Sequence, residues 1–142
     1  MPPTTKVFVD TAAWADLVLG DAENHQAIED YYKQLLANRC WLITSNYILT
    51  EVIAVLTRPG RVPRPAIIDY VNRLKSMQQL DIVHIDQQVD AEAWALLEQR
   101  PEKEWSLVDA SSFIIMAQES IVQAFTTDRH FEQAGFVRVP RI

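Results

Sequence analysis

The stretch Lys6–Trp14, KVFVDTAAW, most constrains what this chain can fold into. Three consecutive apolar residues, Val7–Val9, predict a short buried strand, and the run that begins at Ala12 predicts a helix directly after it. An acid and a hydroxyl residue, Asp10 and Thr11, lie at the junction. Open α/β sheets bind ligands where the carboxyl ends of strands meet the following helices, so Asp10 is a candidate site residue. Either residue would also serve as a helix N-cap, which is the purely structural interpretation.

The rest of the chain repeats this alternation of strand and helix. The predicted strands are residues 6–9, 41–44, 81–85, 121–125 and 136–139. Helices are predicted from Ala12, after a cap at Asn24, after a cap at Ser45 or Asn46, and over 66–77, 89–97, 107–118 and 129–133. In the helix over 89–97, Trp94 and Leu97 are predicted to face the core. Short apolar strands that alternate with helices indicate an α/β domain, with a mostly parallel sheet covered on both faces.

Composition narrows the class of protein further. The 142 residues are enough for about one domain, predicted over 1–142, and 49% hydrophobic residues with 23% charged residues are typical of a globular chain. Cys40 is the only cysteine, which excludes an internal disulfide and a cysteine-based zinc site, and fits a reducing compartment. No apolar run reaches the length of a membrane span, and the first residues, MPPTTK, lack the apolar core of a signal peptide. We therefore expect a cytoplasmic protein without a membrane partner.

The formal net charge of −6 does not by itself suggest a nucleic-acid ligand, because phosphate contacts come from lysine and arginine. One segment departs from that average: between residues 58 and 75 there are five basic residues and one acid. A solvated face is the structural interpretation of such a run. The candidate phosphate contacts in and beyond it are Arg58, Arg61, Arg64 and Arg129.

Four acids are predicted to share one edge of the sheet. Right-handed crossovers between parallel strands bring the carboxyl ends of all strands, and the first turns of the following helices, to that edge. Asp10 ends the first strand, and Asp128 follows the fourth. Glu51 lies early in the helix after the second strand, and Asp109 lies in the first turn of the helix over 107–118. Convergence of these carboxylates is therefore expected from topology alone.

Each acid also has a structural interpretation. Ser106 and Asp109 have the spacing of a capping box. Asp128 would cap the last short helix, and Glu51 would be an edge residue with its carboxylate in water. These interpretations do not exclude a site, because a capping carboxylate can also face a metal ion.

A divalent cation would relieve the repulsion between converging carboxylates, which otherwise raise one another's pKa. Mg²⁺ or Mn²⁺ accepts carboxylate oxygens and keeps bound waters, and those waters can attack phosphorus. Zinc is less expected, because His25, His84 and His130 are scattered along the chain. His130 is only two residues from Asp128, but a single histidine in a turn is expected to be solvated.

Four segments together resemble the PIN-domain family, and within it the VapC-type toxins of bacterial toxin–antitoxin pairs. They are VFVDT at 7–11, TEV at 50–52, WSLVDASSF at 105–113 and FTTDRHF at 125–131. No single segment is specific, but their order and wide spacing extend the resemblance over nearly the whole chain.

The resemblance implies a three-layer α/β/α fold and a metal-dependent endoribonuclease that uses Mg²⁺ or Mn²⁺. The acids it assigns to metal binding and catalysis are Asp10, Glu51, Asp109 and Asp128. The hydroxyl residues it assigns to holding those carboxylates are Thr11, Ser106 and Thr126. It also implies an RNA substrate, a homodimer, and a small antitoxin that reaches into the acidic pocket. The acidic net charge departs from what an RNA enzyme suggests.

Two other functions are compatible with parts of this pattern. A non-catalytic PIN-like module that binds protein or RNA would be favoured by loss of an acid, whereas all four are present. A receiver domain would need a late lysine, but the last one, Lys103, precedes the final strands. A haloacid-dehalogenase-type phosphatase would need an acid at position 12, which is Ala12.

A homodimer would need apolar surface beyond the needs of the core. The residues predicted to supply such a helical face are Tyr31, Tyr32, Ile67, Ile68 and Tyr70.

Overall fold

Five short parallel strands form the centre of the structure, a computed structural model that describes residues 5–142. The strands are β1 Lys6–Val9, β2 Trp41–Ser45, β3 Leu80–Val83, β4 Gln123–Phe125 and β5 Val137–Val139. The helices are α1 Thr11–Val18, α2 His25–Ala37, α3 Asn46–Thr57, α4 Arg64–Lys75, α5 Gln87–Gln99, α6 Leu107–Gln118 and α7 His130–Gln133. In the portion of the chain that the structure describes, no helix has the length and apolar character needed to span a membrane.

The strand order β3-β2-β1-β4-β5 places β1 at the centre of the sheet. The chain runs outward from β1 to β3, returns across the sheet to β4, and continues outward to β5. Right-handed crossovers in these two opposite directions put helices on both faces, so the predicted α/β/α sandwich is confirmed. The direction of travel changes between β1 and β4, which is where open α/β sheets bind their ligands.

The centre of the core lies along β1, whose Val7, Phe8 and Val9 are fully buried. A buried polar relay crosses the core beside this strand. The Trp14 indole N–H donates to Thr44 Oγ1 at 3.2 Å, and the Thr44 hydroxyl donates to the Val9 carbonyl oxygen at 2.9 Å. The relay ties α1 and β2 to the residue that precedes Asp10.

Replacing Thr44 with valine is expected to lower the free energy of unfolding by about 1–3 kcal/mol, because the buried Trp14 N–H then has no acceptor. Urea unfolding of the variant and of wild type measures the difference. Thr57→Val is the matched control, since the Thr57 hydroxyl donates to the Ile53 carbonyl at an exposed position of α3. The control should change stability by no more than about 0.5 kcal/mol. Equal stability of Thr44→Val and wild type would show that the relay is unimportant.

The predicted elements are all present, with ends shifted by a few residues, and α6 matches at both ends. Ser45 caps α3 by accepting the Ile48 N–H at 3.1 Å. Asn24 precedes α2, but among the described residues its side chain accepts no capping hydrogen bond. The prediction for Trp94 is wrong, because its side chain is 56% exposed. The buried residues of α5 are Val89 and Ala93, so the next position turns toward solvent.

The apolar face predicted for a dimer serves the core instead. Ile67 is buried, the Tyr32 hydroxyl donates to Met77 Sδ at 3.3 Å, and the Tyr70 hydroxyl donates to the Trp14 carbonyl oxygen at 2.8 Å. Of the five residues in that predicted face, only Ile68 is exposed. A homodimer would therefore need another surface.

Candidate functional site

Asp10 and Thr126 meet at the carboxyl ends of the adjacent strands β1 and β4. The Asp10 carboxylate is buried, and its Oδ2 accepts a hydrogen bond from the Thr126 hydroxyl at 2.7 Å. The oxygen of the same hydroxyl accepts the backbone N–H of Asp128 at 2.9 Å. Thr126 thus connects two of the four predicted acids, as a residue that holds carboxylates in place would.

Asp109 lies in the predicted capping box at the start of α6. Its N–H donates to Ser106 Oγ at 3.0 Å, and its Oδ2 accepts the Ser106 N–H at 3.1 Å. The same Oδ2 lies 2.9 Å from Nδ1 of His130. The carboxylate therefore caps the helix and faces the site at once.

The expectation that His130 is solvated is wrong, because its Nδ1 lies 2.9 Å from Asp109 Oδ2 and its side chain is 28% exposed. The His130 backbone N–H donates to Asp128 Oδ1 at 2.9 Å, and the ring Nδ1 lies 3.5 Å from the same oxygen. Asp109, Asp128 and His130 each offer one ligand atom, and these atoms lie within 4.8 Å of one another. The sequence signal was slight: an acid and a histidine two positions apart at the start of a short helix.

Glu51 lies outside that three-residue cluster. Its side chain lines an open pocket of about 480 Å³ together with Asp10, Thr11 and Asp128. The structure therefore brings the four predicted acids to one region in different ways. Asp109 and Asp128 form the compact cluster, Asp10 is joined to it through Thr126, and Glu51 contributes to the pocket wall.

Three further charged residues line the same pocket: Asp16, Asp21 and Arg61. The sequence analysis did not identify Asp16 or Asp21. For Asp16 a signal was present, because Ala12 and Asp16 are four residues apart in α1 and therefore lie on the same face of that helix. Arg61 was a predicted phosphate contact, and it is exposed where it lines the pocket.

The other three candidate arginines do not line this pocket. Arg58 and Arg64 are exposed around the loop between α3 and α4. Arg129 is exposed between Asp128 and His130.

The electrostatics of Asp10 show a site that attracts positive charge. The pKa of Asp10 is raised from 3.8 to about 7, chiefly by burial and in smaller part by the charges of Asp109 and Asp128. The hydrogen bonds from Thr126 and from the Thr11 backbone lower that pKa, but they do not offset the burial. Without a bound cation, Asp10 therefore retains its proton up to near-neutral pH.

The pKa of His130 is also raised, so this ring favours a proton. Partial burial lowers its pKa, but the hydrogen bond to Asp109 and the charges of Asp128, Asp109 and Glu104 outweigh that effect. In the metal-free protein, protons on Asp10 and His130 reduce the repulsion among the clustered carboxylates. A bound cation would reduce the same repulsion.

The donor set fits a hard divalent cation. Asp109 and Asp128 supply carboxylate oxygens, which Mg²⁺ prefers, and His130 adds an imidazole nitrogen that Mn²⁺ also accepts. A second observation supports the fit: in residues 5–142, the Oγ1 atom of Thr11 is buried without a hydrogen-bond partner. Such an atom beside a pocket is one that a bound water would satisfy.

Comparisons with known proteins cover almost the whole chain. The family model described as the PIN domain matches residues 7–137. The 23S rRNA-specific endonuclease VapC20 of Mycobacterium tuberculosis, from the CDC 1551 / Oshkosh and H37Rv strains, is 35% identical over 136 residues, which are 94% of this chain and 97% of that protein.

Solved structures agree with that match. The crystal structure of Mycobacterium tuberculosis VapC20, described as a sarcin-ricin loop cleaving toxin, superposes with a TM-score of 0.79 at 30% identity, over 92% of this chain and 96% of that one. The crystal structure of PAE2754 from Pyrobaculum aerophilum superposes with a TM-score of 0.64 at 19% identity, over 95% of this chain and 90% of that one. The second likeness shows the fold alone.

Proposed function

The chain belongs to the PIN-domain family, and from that membership and its clustered acids we propose that it is a metal-dependent endoribonuclease that hydrolyses RNA phosphodiester bonds. One observation carries the proposal. Carboxylates from three separate segments, at Asp10, Asp109 and Asp128, meet at the point where the direction of the sheet connections changes. If these acids served only as helix caps, they would not need to be connected to one another through Thr126 and His130.

We propose Mg²⁺ as the metal, with Mn²⁺ as the alternative. Asp109, Asp128 and His130 would hold it, with Asp10 connected to the same network and Glu51 on the pocket wall. When bound, such a cation stabilises the charge that develops on phosphate oxygens and lowers the pKa of its water.

The protein's own residues have separate tasks in this proposal. Thr126 sets the separation of Asp10 from Asp128, and Ser106 orients Asp109. Glu51 orients the attacking water from α3 or contributes to metal binding. Of the four candidate arginines, Arg61 has the position best suited to contact a phosphate of the RNA that enters the pocket.

The relatives support a proposal for the substrate and partners. VapC20, named for action on 23S rRNA, matches over nearly the full length of both chains, so we propose ribosomal RNA as the substrate class. An enzyme with that substrate meets it in the cytoplasm, and we propose that location. We also propose that the chain is a single-domain toxin over 1–142, that it forms a homodimer, and that a small antitoxin covers its acidic pocket.

The defining experiment incubates purified protein with total RNA in Mg²⁺, in Mn²⁺ and in EDTA. We expect discrete cleavage products that require a divalent cation. Absence of cleavage together with absence of metal binding would favour a non-catalytic PIN-like binding module instead.

Metal binding is expected to stabilise the folded protein by mass action, by about 2.7 kcal/mol when the cation is at a hundredfold excess over its dissociation constant. Thermal unfolding with increasing Mn²⁺ measures this. Asp128→Asn should lose most of the shift, because it removes a charged ligand. Asp81→Asn, an exposed carboxylate on β3 that accepts the Trp41 indole N–H, should keep it. An equal shift in Asp128→Asn and wild type would mean that the cation binds elsewhere.

A further inference from the structure

Arg138 lies on β5 at the edge of the sheet, yet its side chain is only 16% exposed. Its Nη1 donates to the carbonyl oxygen of Thr127 at 2.8 Å, and its Nε donates to Glu132 Oε1 at 2.6 Å. A guanidinium held by two partners in different directions has a defined orientation, which a flexible surface arginine lacks.

The two partners of Arg138 flank the part of the chain that carries the cluster. Thr127 immediately precedes Asp128, and Glu132 lies in α7, two residues after His130. The same strand gives a backbone contact to this segment, since the Thr126 N–H donates to the Val139 carbonyl oxygen at 3.0 Å. Residues 126–132 are thus attached to β5 before and after the two cluster residues.

We propose that Arg138 is a positioning residue, which holds Asp128 and His130 in the arrangement that binds the cation. The inference rests on the proposed function. Arg138 itself contacts neither Asp128 nor His130 through its side chain in the bonds described, so it acts through the Thr127 peptide and through α7.

Arginine suits this task better than lysine does. Its planar fork presents separate donors to a carbonyl and to a carboxylate, whereas lysine has one nitrogen at the end of a flexible stem. Lysine is therefore expected to restore part of the function but not all of it.

The test is direct titration of Mn²⁺ into Arg138→Gln, Arg138→Lys and wild type, with thermal unfolding in EDTA as a separate measure of the fold. Arg138→Gln should bind Mn²⁺ about tenfold or more weakly, which is the usual effect of losing a group that orients metal ligands. Its RNA cleavage should recover at high Mn²⁺, because the ligands remain. Arg138→Lys should lie between Arg138→Gln and wild type. Arg73→Gln, which removes an exposed ion pair with Asp69 on α4, is the matched control and should match wild type.

Three results would overturn the proposal. One is wild-type Mn²⁺ affinity in both Arg138 variants. Another is a lower melting temperature in EDTA with unchanged affinity, which would assign Arg138 a purely structural role. The third is wild type that binds neither Mn²⁺ nor Mg²⁺, and that result would also remove the proposed function. Should Arg138→Gln fail to fold, the comparison of Arg138→Lys with wild type decides the question.

Discussion

Replacing Asp109 with asparagine is expected to lower the rate of RNA cleavage by roughly 10³-fold or more while the fold is retained. The amide has nearly the size of the carboxylate, and its oxygen can still accept the Ser106 N–H that closes the capping box. What disappears is the negative charge beside His130 and Asp128, on which the proposed binding of a cation depends. Cleavage of a ribosomal RNA fragment under single-turnover conditions measures the rate, and circular dichroism checks the fold.

Asp81→Asn is the matched control for this experiment, because the same chemical change is made at the exposed start of β3. Its cleavage rate should equal that of wild type. A rate for Asp109→Asn within a few-fold of wild type would remove Asp109 from the proposed site, leaving it only as a helix cap.

Replacing Asp10 with asparagine is expected to stabilise the metal-free protein at pH 8, by as much as about 4 kcal/mol. The folded protein holds the Asp10 pKa at about 7, against an ordinary value of 3.8, because the carboxyl is buried. Between these two values the folded state keeps a proton that the unfolded state releases. Wild type therefore loses stability as the pH rises through this window, and bears the full penalty above about pH 7. Asparagine carries no charge and can still accept the Thr126 hydroxyl.

Urea unfolding in EDTA at several pH values between 4 and 8 measures this effect. The advantage of Asp10→Asn should be largest above pH 7 and should become small near pH 4, close to the ordinary pKa of 3.8, below which the unfolded state also keeps the proton. Asp81→Asn, at an exposed position, should stay within about 0.5 kcal/mol of wild type throughout. A variant less stable than wild type at pH 8 would show that the buried charge is not destabilising.

The location of the acids could be predicted from the sequence because it depends on topology. Asp10 and Asp128 follow strands, and Asp109 begins a helix, so parallel connections bring all three to one edge whatever the detailed packing. Thr126 could be identified in the same way, since it directly follows β4.

Features that depend on side-chain direction could not be predicted in this way. The contact of His130 with Asp109 joins residues 21 positions apart, and it depends on where α7 begins. The apolar pattern of the sequence predicts Trp94 as a core residue, but the buried face of α5 is too narrow to include it. Arg138 resembles an ordinary charge on an edge strand, and only its two partners give it a role.

The bond between Thr126 and Asp10 joins positions 116 residues apart, so it cannot form until most of the chain has been synthesised. A nascent chain emerges from the ribosome with its N-terminus first. Strand β1 therefore cannot pair with β4 until almost the entire chain has been made. A nascent chain that already displays Asp10, Glu51 and Asp109 still lacks Asp128 and His130. The candidate site is therefore completed only when synthesis of the chain is nearly finished.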